Sequence, residues 1–96
     1  LKNTGGGNPV RAVITVIGKD MVGILAKVSA TCAKVNANVV EVTQSVLQEY
    51  FAMIMLIEIT EMTVSIDELK QLLNKNTEGM TIHVMHEDIF NSMHKV

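Results

Sequence analysis

Apolar residues fall along the chain in two alternating rhythms. From Arg11 to Ile17 they run almost unbroken and are rich in β-branched side chains, which predicts a strand buried on both faces. Leu25, Val28, Cys32 and Val35 then recur at i, i+3, i+7 and i+10, the single buried stripe of a helix over 25–35. Lys27, Ser29, Ala30 and Lys34 fall mostly on its outer side. Asn36-Ala37-Asn38 closes it, because Asn tolerates the left-handed conformation that ends helices. Val39 to Leu47 alternates, with Val40, Val42 and Val46 against Glu41, Thr43 and Ser45, as an edge strand with one wet face does. Gln48 and Glu49 alone separate it from Tyr50 to Ile59, so these two strands form an antiparallel hairpin. The second of them is again apolar on both faces, Phe51, Met53, Met55 and Ile57 against Ala52, Ile54 and Leu56.

Ser65-Ile66-Asp67-Glu68 is a capping box, in which hydroxyl and carboxylate satisfy opposite orphan N–H groups at a helix start. Ile66, Leu69, Leu72 and Leu73 give that helix its apolar face, and Gly79 supplies the stop. Met80 to His86 reads as a last strand, with Ile82 and Val84 opposite Thr81, His83 and Met85. A short amphipathic helix over 88–96, through Ile89, Phe90 and Met93, ends the chain. The order is β-α-β-β-α-β, an α+β, ferredoxin-like sandwich: a four-stranded antiparallel sheet with two helices on one face. Right-handed crossovers put the first and third strands at the centre. These are the two strands that are apolar on both faces, so pattern and topology agree. Two helices cover only one face of such a sheet. The C-terminal segment or a second copy must cover the other, and a homodimer is expected.

Ninety-six residues make one domain, 48% hydrophobic and 19% charged, with ample material for a core. Two Phe, one Tyr and no Trp leave seven Met and many Val and Ile to fill it. The leader LKNTGGGNP, residues 1–9, is polar and Gly-rich and is expected to stay disordered as a leader or remnant outside the domain at 10–96. A net charge of −2 and scattered Lys and Arg give no basic footprint, so no nucleic acid is expected as a partner. No membrane is expected either, since the longest apolar run is too short to cross one. A lone Cys32 points to a reducing, cytoplasmic setting.

The stretch with most chemical promise is Gly18-Lys19-Asp20-Met21-Val22-Gly23-Ile24, where the chain turns from sheet into helix. A helix beginning there points unpaired N–H groups at whatever lies in front of it. Asp20-x-x-Gly23-Ile24-Leu25, with Asn38 opening the second strand, resembles the ACT domain, a small βαββαβ module that commonly binds amino acids and regulates metabolic enzymes. The likeness to stand-alone single-ACT proteins of prokaryotes is closer still. It extends through Ile14-Thr-Val-Ile-Gly-Lys-Asp20, Gln44-Ser-Val-Leu47, Glu49-Tyr50-Phe51, Glu87-Asp-Ile-Phe90 and Met93-His94. The resemblance implies a cytoplasmic, dimeric module without catalysis or cofactor, whose ligand lies at a subunit interface. It carries the ligand contacts to Asp20, the main chain of Met21, Val22, Gly23 and Ile24, and Asn38. Position 18 departs from the pattern, being Gly where some amino-acid-binding members have a polar side chain.

The chemistry suits an amino acid. Helix N-terminal amides favour its carboxylate, Asp20 pairs its ammonium, and the Asn38 amide serves either end. The plainer reading is that Asp20 caps the helix and Gly23 relieves packing against the sheet; both stand. Lys19 reads as a solvated cation, or as a hold on an anionic group. His83 and His86, three apart on a strand, point to opposite faces, and with His94 they make no metal site within one chain. The methionines fill an aromatic-poor core or a dimer seam, or present an adaptable partner surface. Cys32 belongs to the buried stripe, and no catalytic constellation is present. Two functions follow: a regulatory module sensing an amino acid or similar metabolite at a homodimer interface, or a protein–protein adaptor that dimerises and docks on an enzyme or regulator without a small ligand. An enzyme ranks last.

Overall fold

The structure, a computed structural model, describes residues 9–19, 21–76 and 79–93. Its elements follow the order β1 (Arg11–Gly18), α1 (Met21–Lys34), β2 (Asn38–Leu47), β3 (Tyr50–Glu58), α2 (Ile66–Asn76), β4 (Thr81–His86) and α3 (Glu87–Met93). The four strands form one antiparallel sheet in the order β2-β3-β1-β4, so the two doubly apolar strands lie at its centre as expected.

One face of the sheet carries the core. Ile14 and Val16 of β1, Met53, Met55 and Ile57 of β3, and Ile82 and Val84 of β4 are buried there with Ile24, Val28 and Cys32 of α1 and Leu69 and Leu73 of α2. Each such side chain contributes about 1.5–3 kcal/mol through the apolar area it removes from water. Thr31, a polar residue inside α1's buried stripe, donates its hydroxyl to the Lys27 carbonyl at 2.9 Å. The capping box forms as read: the Ser65 hydroxyl accepts from the Glu68 N–H at 3.1 Å and the Glu68 carboxylate from the Ser65 N–H at 3.0 Å. Asn36 takes φ 64° where α1 ends, and Gly79 takes φ 84° ahead of β4.

Three local expectations change. The first helix begins at Met21, four residues before the apolar stripe read at Leu25, so Met21 to Ile24 are its first turn and only residues 19–20 connect it to β1. In β2 the alternation slips: Val39 pairs with Ile57 and Glu41 with Leu56, leaving Val40 in a bulge and 47% exposed. The last helix begins at Glu87, directly after His86, with its expected continuation over 94–96 outside the described residues, as is the leader over 1–8. Helix α3 packs against β1 and β4 on the face away from α1 and α2.

Candidate functional site

The end of β1 is tightly packed. Gly18 faces the helix layer, and a Cβ there would lie 2.9 Å from Ile24 Cδ1 and 3.0 Å from Met80 Cγ. Close packing therefore calls for glycine at position 18, where a polar side chain would displace the core. Ile24 is fully buried, so of the expected contacts it offers main chain only; Val22 is 75% exposed, and Gly23 half-buried. Met21 heads the helix, and Asp20 lies outside the described residues.

Beside this connection lies an open cleft of about 320 Å³, lined by Ile17, Gly18, Lys19, Tyr50, Gly79, Met80 and Thr81. The Lys19 ammonium sits 3.7 Å from a Glu49 carboxylate oxygen and 5.6 Å from the centroid of the Tyr50 ring. Both charged side chains are about two-thirds exposed, so water screens the pair and its worth is about 0–1 kcal/mol. Lys19 is thus a solvated cation with a loose tether, free to turn toward an anion in the cleft.

Asn38 stands elsewhere. It opens β2 opposite Glu58, which in the sheet neighbours Arg11, whereas Gly18 pairs with Phe51 at the other end. Seven strand residues, about 24 Å at ~3.4 Å each, separate the two rows. Within one chain the connection and Asn38 do not meet.

The remaining candidates are dispersed. Burial pushes the Cys32 thiol up to about 11, as befits a small core side chain rather than a nucleophile. His83 lies on the open face of the sheet, and His86 at the exposed end of β4; among the described residues no three metal-ligating side chains cluster. Met53 and Met55 fill the core, while Met93 is 64% exposed on α3. One feature escaped sequence reasoning: Arg11 clasps Glu87, Nε to Oε1 at 3.0 Å and Nη2 to Oε2 at 2.8 Å, across 76 residues of sequence. Only the strand register, which sets Ala12 beside His86, could have found it.

The sequence pattern that defines the ACT domain matches residues 11–85. This chain belongs to the ACT domain family. The ACT domain is a regulatory ligand-binding module, and this one is 47% identical over 89 residues to a UPF0237 protein of Listeria innocua, spanning 91% of the present chain and all of the relative. An ACT domain protein from Streptococcus pneumoniae superimposes with a TM-score of 0.72 at 32% identity, over 86% of this chain and 96% of that one. A formyltetrahydrofolate deformylase from Pseudomonas syringae shares the fold, with a TM-score of 0.70 and 19% identity, over 82% of this chain but 28% of its own length. No helix among the described residues is long and apolar enough to cross a membrane.

Proposed function

We propose that the chain is a regulatory module that senses an amino acid or a similar small metabolite where two copies of it meet. The observation carrying this reading is the separation of the two halves of the expected site. Gly18 and the start of α1 stand at one end of the sheet and Asn38 at the other. Strand β2 is the longer free edge, ten residues against six in β4. Pairing two β2 edges antiparallel about a two-fold axis carries Asn38 of one copy to the Gly18 end of the other. An amino acid bound there would set its carboxylate before the first turn of α1 and its ammonium toward Asp20, with the Asn38 amide of the second copy closing the site.

Such a ligand favours the paired arrangement by the difference between its affinities for paired and single chains, and this difference is the signal passed to a partner enzyme or regulator. No catalytic step belongs to the reading. The lone buried thiol of Cys32 suits the reducing cytoplasm.

Thermal-shift measurement against the twenty amino acids at millimolar concentration tests it. A true ligand at a hundred times its Kd adds about 2.7 kcal/mol, a rise of well over 5 °C for a domain of this size. No rise with any of them would overturn the reading. A second reading, an adaptor that docks on another protein without a small ligand, draws on Val22 and Val46, apolar side chains 75% and 66% exposed. It requires a flat thermal-shift screen and a partner that co-purifies.

A further inference from the structure

Helix α3 is an addition to the module. The family pattern ends at residue 85, and α3 starts at Glu87. It lies across the sheet face that α1 and α2 leave bare, where Val13 of β1, though pointing away from the main core, is only 3% exposed. Yet the helix itself is lightly held. Among the described residues it spans seven, fewer than an isolated helix needs to be stable, and none of them is buried. Its fixed points are the Phe90 ring, half-buried, and the Arg11–Glu87 fork at its first residue.

Helix α3 does not seal the face. Clefts of about 220 and 390 Å³ flank it, and Phe90 and Ile54 line both. The smaller holds two carboxylates, Glu41 and Glu87. The larger is lined by no charged residue: Ile17, Ala52 and Ile54 form its floor, Met85, Phe90 and Met93 its side, and Thr15 and His83, a direct cross-strand pair, bring a hydroxyl and an imidazole together. Ile17 and Ile54 remain 51% and 42% exposed, an apolar floor without a cover. The volume falls at the lower end of the ~300–1,000 Å³ of small-molecule sites, and an apolar lining with a few convergent polar groups is their usual make-up.

We infer that this groove binds a compact, uncharged, largely apolar molecule with one hydrogen-bonding group, and that α3 is its movable wall, kept docked by the Arg11–Glu87 fork. The ligand's apolar body covers Ile17 and Ile54 and packs against Phe90, while its polar group meets Thr15 or His83. The site is separate from the one proposed between two copies, which lies along β2 and the start of α1. Its occupant differs as well, since an amino acid brings two charges and this groove's lining holds no carboxylate, ammonium or guanidinium to pair with them.

Indole is a suitable probe: apolar, uncharged, with a single N–H donor. Titrated into ¹⁵N-labelled protein, it is expected to shift the amides of Thr15, Ala52, His83 and α3 saturably, and to slow amide exchange in α3. Ala52→Trp fills the groove from its floor and is expected to weaken binding at least about tenfold, with the remaining spectrum of a folded domain. Arg11→Ala leaves the groove but frees its wall, so binding weakens by less and α3 amides exchange faster before indole is added. Absence of saturable shifts at millimolar indole, or shifts unaltered by Ala52→Trp, would overturn the inference. So would shifts confined to Gly18 and Lys19, or broadening of the same face that grows with protein concentration alone, which would mean that a second copy occupies it.

Discussion

At the scale of single residues, three positions carry costs that can be measured. Gly18→Ala places a methyl group within 2.9 Å of Ile24 Cδ1 and 3.0 Å of Met80 Cγ. Both neighbours can turn, but Ile24 is fully buried, so the overpacking is expected to cost about 1–2 kcal/mol in urea unfolding. Gln48 holds φ 58° at the first central position of the two-residue hairpin loop between β2 and β3. A side chain in that region costs roughly 1–2 kcal/mol, and glycine's extra entropy roughly 0.5–1. Gln48→Gly is therefore expected to raise stability by roughly 0.5–1 kcal/mol, read as a higher urea midpoint. Cys32 gives the pH dependence. Its thiol titrates near 9 when exposed and is pushed up to about 11 by burial, so the unfolded chain releases its proton first. Stability is then fully present below pH 9 and falls as pH rises from 9 through 11, by roughly 2–3 kcal/mol. Comparing wild type with Cys32→Ala over that range isolates the thiol, because the two proteins differ in no other group. A drop of equal size in the variant would remove the buried thiol as its cause.

At the scale of elements, what was legible was what is written in neighbouring residues. The capping box needs only Ser65 and Glu68, three apart, and both bonds are present. Ser65→Ala is expected to cost about 1 kcal/mol, which for a domain of this length lowers the melting temperature by about 4–8 °C. The central positions of β1 and β3 were legible for a related reason: burial on two faces writes itself as an unbroken apolar run. The start of α1 was not. Its first turn carries an exposed Val22 and a glycine, so the buried stripe, which is all that periodicity detects, begins only at Ile24, inside the helix. The bulge in β2 was equally silent, since Val40 falls in step with Val42 and Val46 by count while the ladder skips it. A bulge is set by which partner each residue meets, and that is decided across strands rather than along one.

At the scale of the whole molecule, the sequence pointed to a bare sheet face and offered two covers for it, the C-terminal segment or a second copy. Helix α3 supplies part of one, pinned by an ion pair whose members stand at opposite ends of the chain. That leaves the edge of β2 as the surface on which the proposed pairing depends. If two edges pair over residues 39 to 47, the two-fold axis passes at Thr43, the middle of that span, and Thr43 lies against its own symmetry mate. Thr43 is exposed on this edge strand, so Thr43→Asp is expected to leave the single chain within about 1 kcal/mol of its original stability. Across the axis, however, it sets two carboxylates face to face in a newly desolvated seam, and like charges directly opposite each other destabilise strand pairing. Sedimentation at micromolar concentration is expected to show a dimer for the wild type and a monomer for Thr43→Asp. Any thermal shift caused by an amino acid should vanish with the dimer, because Asn38 would no longer reach the far end of a second copy. A Thr43→Asp protein that stays dimeric and keeps its ligand response would mean that the copies meet along some other surface, and the β2 pairing would fall with it.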